Sequence, residues 1–105
     1  VDIMLGVATP GSKSMITLQR AHTLAQNLGI KRFFVVANMV RNRDDEKYVR
    51  DYAGALGLEL IGIVPYDSSI VEADIKSLSP LDYKPNSPAI VSIRKLKDKI
   101  LELWG

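Results

Sequence analysis

Two kinds of apolar pattern take turns along this chain. One is the short unbroken run, seen at residues 2–8 (Asp-Ile-Met-Leu-Gly-Val-Ala), at 31–38 and at 58–64. The middle run, Lys31-Arg32-Phe33-Phe34-Val35-Val36-Ala37-Asn38, is mostly apolar and stops at an asparagine. Such a run, bounded by turn signals, suits a strand buried on both faces, as in a parallel sheet covered by helices. The other kind is the helical stripe. Leu18, Ala21, Ala25 and Leu28 are spaced for one face of a helix over residues 14–28, with Gly29 as its C-terminal cap. Val49, Tyr52, Ala53 and Leu56 repeat the pattern in a second helix, capped by Asp44 or Asp45 and ended by Gly57.

The third run stops at Pro65-Tyr66-Asp67, and a short helix is predicted over residues 70–76. Residues 78–87, with Pro80 and Pro85, read as an irregular surface crossing. Ser87-Pro88 is a helix start, an N-cap residue followed by proline at the first helical position. Ala89, Ile93, Leu96, Ile100 and Leu103 then line one side of the final helix, while Lys95, Lys97, Asp98, Lys99 and Glu102 keep the others polar. The pattern predicts one α/β domain in the order β-α-β-α-β-α, with right-handed crossovers between parallel strands. Three parallel strands make a thin sheet with two open edges, so more sheet is expected beside it. The chain also opens at Val1 already within a strand, which fits an excised piece of something longer.

Composition narrows the chemistry. The chain has 105 residues, 47% hydrophobic and 25% charged, with a net charge of +2 spread in mixed sign. No basic tract tracks a phosphate backbone, which argues against nucleic acid as the main partner. There is no cysteine, and His22 is the single histidine, so thiolate sites, disulfides and histidine clusters are excluded within the chain. The lack of cysteine fits a cytoplasmic protein. No apolar run approaches the ~18 residues of a membrane span.

Ligands of open parallel α/β sheets sit beyond the carboxyl ends of the strands. Asn38 stands at such an end. Its side-chain amide offers a donor and an acceptor, matching the edge of a purine base, or it could bond its own backbone. Pro65, Tyr66 and Asp67 hold the corresponding place on the next strand, as a ligand wall or as a plain turn. Gly6 and Gly11 have the glycine spacing of a phosphate-binding loop, but Lys13 comes one residue late, and Gly6 lies inside the strand. A turn with a serine N-cap is the better reading. Residues 41–47 form a charge cluster whose acids nearly cancel its bases, as in a solvated helix start. His22 reads as structural. Trp104, on a partly basic amphipathic helix, either touches a membrane surface or belongs to a face packed on the sheet.

Taken together these residues resemble the C-terminal half of the MinD/ParA-type P-loop ATPases, the group that includes the nitrogenase iron protein. The resemblance rests on Val1-Asp2 opening a strand, the Thr9-Pro10 turn, Ser14 with its helix to Leu28-Gly29-Ile30, and Val-Val-x-Asn ending at Asn38. It continues through Leu60-x-Gly62-x-Val64-Pro65-Tyr66-Asp67, Val71-x-x-Ala73 and Ser87-Pro88-Ala89. Gly29-Ile30-Lys31-Arg32, Val40-Arg41-Asn42, and Pro65-Tyr66-Asp67 with Glu72-Ala73-Asp74 look most like the carbon monoxide dehydrogenase maturation branch, whose members assist nickel insertion. The resemblance implies a three-layer P-loop NTPase-type parallel sheet, present here as a partial unit. It implies adenine recognition by Asn38, with Pro65, Tyr66 and Asp67 on the other side of the base. It further implies ATP or ADP, with Mg2+ held through an N-terminal half of the same protein, a homodimer, and a client metalloenzyme. The phosphate-binding loop and switch aspartates would belong to that other half, so no catalysis is expected from this chain alone. Met39 departs from the pattern, where a basic residue often follows the asparagine. The alternatives are a membrane-associated positioning ATPase and a stand-alone interaction module.

Overall fold

In the computed structural model, which describes residues 3–104, strands and helices alternate as β1 (Ile3–Ala8), α1 (Ser12–Asn27), β2 (Arg32–Val40), α2 (Arg43–Ala55) and β3 (Glu59–Pro65). Three helices complete it: α3 (Ser68–Ile75), α4 (Pro80–Tyr83) and α5 (Pro88–Trp104). Val1 and Asp2, expected in the first strand, lie outside the described residues. All pairing is parallel, and the strands lie side by side in chain order, β1-β2-β3.

When successive right-handed crossovers step in one direction across a sheet, their helices fall on one face. Here α1 and α2 share a face, and α5 covers the other, giving three layers. β2 shows why its sequence is apolar throughout. Phe33, Val35 and Ala37 enter the core with Met15, Leu18, Ala25, Val49 and Ala53 from α1 and α2. Val36 points the opposite way, into a second core with Ile61, Val64 and Ala89, against which Phe34, Leu96, Ile100 and Leu103 pack. Period-two alternation is absent because neither face meets water.

Gly6 sits where α1 presses on the sheet. A Cβ there would lie 2.6 Å from Leu18 Cδ1 and 2.8 Å from Phe33 Cζ. Its glycine serves close packing rather than a phosphate loop.

The element ends differ from the sequence-based expectation in ways that have local causes. α1 begins at Ser12, two residues early, after Gly11 at φ 150°, and no side chain caps it. Ser14 instead accepts a hydrogen bond from the Thr9 amide at 2.8 Å, tying down the preceding turn. At α2 the cap is Asn42 rather than an aspartate; its Oδ1 accepts the Asp45 amide at 2.9 Å. Asp45 reaches back past the cap to accept the Arg41 amide at 3.0 Å, which ties down the residue before the helix. α3 starts at Ser68 because Asp67 caps it. The supposedly irregular crossing contains the single turn of α4. Finally, β2 runs on to Val40 instead of ending at Asn38.

Candidate functional site

That extension shapes the site. Ala37 pairs with Ile63 and Val40 with Pro65, so Asn38 and Met39 together face the single residue Val64. One extra residue in one strand is a β-bulge, which bends the strand and re-aims side chains. Met39 absorbs the bend at φ 57°, the left-handed region that non-glycine residues seldom occupy. Pairing resumes immediately, with the Tyr66 amide donating to the Val40 carbonyl at 2.8 Å.

Beyond the bulge, at the carboxyl ends of β2 and β3, lies a cleft of about 340 Å³. Asn38, Pro65, Tyr66 and Asp67, distant in sequence, all line it. Its remaining walls come from Ile70 and Val71 of α3, Pro80 of α4, and Ala89, Ile90 and Ile93 of α5, with Val64 and Met39. The lining is almost wholly apolar. A planar, largely apolar ligand with a few polar edge atoms suits such a space.

Asn38 supplies the polar feature. It is half-buried, and among the described residues its amide makes no hydrogen bond, so the backbone-bonding alternative is not the one adopted. Its polar atoms keep contact with water, since among the described residues only Ser87 Oγ is a buried side-chain polar atom without a partner, and they are free to meet a ligand's polar edge. Tyr66 remains 46% exposed at the rim, where its ring is available to stack.

Asp67 has a different task. Its Oδ1 accepts the Ser69 amide at 2.9 Å and its Oδ2 the Ala89 amide at 3.0 Å. One carboxylate thus joins the amino-terminal ends of α3 and α5. The Ala89 amide, then the Ser69 amide, hold its pKa below the ordinary carboxylate range against the opposing cost of burial. Ser87, expected to cap α5, is buried, and its Oγ caps no amide; Asp67 takes that place from 22 residues away. Asp67 builds the cleft's corner, and both its oxygens are already engaged.

Several of the walls carry no local sequence signal. Ile93 belongs to the apolar stripe of the last helix yet is 47% exposed at the cleft, and Pro80 comes from a stretch whose prolines predict an irregular crossing. The bulge that brings Met39 here depends on β3 and leaves no local signature.

The other sequence candidates lie elsewhere. The His22 ring packs on Phe33 at 5.3 Å between centroids, a structural contact. The charges near the start of α2 pair along the helix, Arg41 with Asp45, Glu46 with Arg50 and Lys47 with Asp51. Leu96, Ile100 and Leu103 pack against the sheet core, but Trp104 stays 62% exposed. No helix among the described residues is long and apolar enough to cross a membrane.

The cleft's lining includes no lysine or arginine. Arg41 lines a neighbouring hollow with Thr9, Pro10, Met39 and Tyr66, and its Nε is bound to Asp45 at 3.0 Å. Among the described residues no group of three or more His, Cys, Asp or Glu gathers as a cation site. The cleft's apolar walls suit a flat, largely apolar group.

No family profile matches the chain. It is 39% identical over 103 residues to an uncharacterised ATP-binding protein of Methanocaldococcus jannaschii, covering 98% of this chain and 39% of that protein. It is 36% identical over 85 residues to the carbon monoxide dehydrogenase accessory protein CooC of Rhodospirillum rubrum, covering 81% of this chain and 32% of that one. In fold it resembles the MinD cell division protein of Aquifex aeolicus, with TM-score 0.81 and 21% identity over 97% of this chain and 44% of that one. MinD of Pyrococcus horikoshii, solved with Mg-ADP, superposes with TM-score 0.74 at 18% identity, over 99% of this chain and 43% of that one. In sequence and in fold the chain thus matches part of the MinD/ParA-type P-loop ATPases. Within that class its sequence relatives are ATP-binding proteins and the carbon monoxide dehydrogenase accessory protein. The chain spans about two fifths of the length of the ATP-binding relatives, 39% and 40%.

Proposed function

We propose that this chain is the C-terminal, adenine-recognising half of a dimeric cytoplasmic ATPase that assists metal-centre assembly, with nickel insertion into carbon monoxide dehydrogenase as the specific role. The observation that carries the base-binding part is the free, half-buried Asn38 amide beside an apolar cleft at the strand ends. In this reading Asn38 pairs with the adenine edge, Pro65 and Tyr66 face the ring, and Asp67 fixes the corner they stand on. Support for the assembly role comes from the likeness to the accessory protein.

ATP supplies binding energy that shifts a dimer between two arrangements, which requires different contacts in each. The residues here contribute to the nucleotide's affinity and its base selectivity. The triphosphate and Mg2+ belong to the N-terminal half, consistent with a cleft that offers neither cations nor spare carboxylates.

The coding sequence upstream of Val1 tests the larger claim. A lysine- and glycine-rich phosphate loop there supports it, and a start codon abutting Val1 overturns it. In the full-length ATPase, Asn38→Ala is expected to weaken adenine-nucleotide binding by about tenfold, the loss of one or two hydrogen bonds to the base. Titration calorimetry with ADP reads this directly. Unchanged affinity in a folded variant removes Asn38 from the base site.

A further inference from the structure

Sulfur is scarce in this chain, and most of it is enclosed. There is no cysteine, and the three methionines are Met4, Met15 and Met39. Met15 is 1% exposed in the core beneath α1, and Met4 packs against that same core. Met39 is 47% exposed.

The bulge is what exposes it. A residue in regular register on a strand covered on both faces enters one core or the other, as Val35, Val36 and Ala37 do. The extra residue and the turn to φ 57° take Met39 out of that alternation and set it on the rim. There it lines the cleft beside Asn38 and also the hollow formed by Thr9, Pro10 and Arg41. Tyr66 is the other residue common to the two, so a thioether and a phenol ring form their boundary. A thioether is apolar, polarisable and a favourable neighbour for an aromatic ring. Its sulfoxide is polar and chiral. One added oxygen atom therefore changes the character of an otherwise apolar wall.

We propose that Met39 is a reversible oxidation site, taking a hydroperoxide as its reactant, and that its sulfoxide lowers the affinity of the cleft for a nucleotide base. The thioether sulfur attacks the terminal peroxide oxygen. The S–O bond forms as the O–O bond breaks, and two electrons pass from sulfur to the peroxide. The leaving oxygen takes the proton of the transferred one and departs as water or an alcohol. Two thiols of a sulfoxide reductase reverse the step, becoming a disulfide as the oxygen leaves as water. Burial withholds Met15 from this chemistry, and packing shields Met4. The effect on affinity rests on the base-binding reading of the cleft.

Graded treatment of the full-length ATPase with hydrogen peroxide tests it. Peptides covering the three methionines are followed by mass spectrometry, and ADP affinity by titration calorimetry. Met39 is expected to gain one oxygen atom at least about tenfold faster than Met4 or Met15. ADP affinity is expected to fall by about three- to tenfold in step with it, through loss of the sulfur–ring contact, and to return on treatment with methionine sulfoxide reductases and dithiothreitol. Met39→Leu, whatever its own starting affinity, is expected to lose nothing further under peroxide. Met39→Gln, with a polar group always in that place, is expected to bind as weakly as the oxidised protein. Oxidation of Met4 or Met15 ahead of Met39, unchanged affinity once Met39 is oxidised, or an equal loss in Met39→Leu would each overturn the proposal. The base site is read before peroxide is added. A response to Met39 oxidation beside an inert Asn38→Ala keeps the oxidation site and discards the base assignment; a weakened Asn38→Ala with no response to peroxide does the opposite.

Discussion

A single carboxylate holds the corner of the cleft, and its removal should be felt at two helix ends. Asp67 satisfies the amides of Ser69 and Ala89, and both helix amino termini favour its negative charge. Asp67→Ala strands both amides and is expected to cost about 2 kcal/mol in urea unfolding, a cap plus one further buried hydrogen bond. The pH dependence has a definite sign. The folded-state pKa is depressed, so the stabilisation is fully present above the unfolded value of about 4 and is lost as pH falls through the lower folded value. The stability gap between the native chain and Asp67→Asn should therefore be widest near neutrality and narrow below about pH 4. Asp45, similarly depressed by its hydrogen bond to Arg41, contributes to the acid limb of both proteins and cancels in the difference. A gap that stays constant from pH 7 to 3 would assign Asp67 a purely steric role.

At the scale of elements, two glycines record how closely the layers approach the sheet. At Gly6 a Cβ meets Leu18 at 2.6 Å and the Phe33 ring at 2.8 Å, the first on α1 and the second on the neighbouring strand. At Gly62 it meets only the end of Leu96, at 2.8 Å, with the other Leu96 atoms at 3.6 Å or more. Leu96 can rotate away toward solvent, whereas Phe33 is buried in the core. Gly6→Ala is thus expected to destabilise by about 2–3 kcal/mol and Gly62→Ala by about 1 kcal/mol or less, read as shifts of the urea midpoint. The reverse order would mean that α5, not α1, is the tightly docked layer. These close approaches also mark how far the sequence could be read. The unbroken runs predict strands because burial on both faces removes the alternation, and the stripes predict helices because α1 and α2 each bury one face. The caps and the bulge were not legible. Asn42 accepts the Asp45 amide while Asp45 accepts from Arg41, and several neighbouring polar residues could equally have capped α2. The Asp67–Ala89 bond spans 22 residues and the Arg32–Leu103 bond 71, and neither follows from a local pattern. Asn38 could be picked out because it ends an apolar run; Met39, Pro80 and Ile93 could not be placed beside it, because β3, α4 and α5 bring them there.

For the molecule as a whole, the proposed separation of base from phosphate bears on what this chain can do by itself. The cleft provides one free amide and apolar walls, and its cationic neighbour Arg41 is turned to Asp45. Transfer of a phosphoryl group depends on positioning and on positive charge gathered around the transferring oxygens. Among the described residues, nothing at the cleft supplies that charge, and the Thr9-to-Ser14 turn is closed on itself by the Ser14 hydroxyl. The isolated chain should therefore release no phosphate from Mg-ATP above the rate of the buffer, at concentrations where ADP perturbs the Asn38 and Tyr66 resonances. Adding the N-terminal half should raise turnover without requiring any residue of the 9–14 turn. Turnover by the isolated chain that disappears on Lys13→Ala would show that the late lysine acts on phosphate after all, and would return the first turn to the centre of the site. Resonance shifts at Asn38 with no turnover would support base recognition by this chain with phosphate recognition supplied elsewhere, in keeping with a cleft that no lysine or arginine lines.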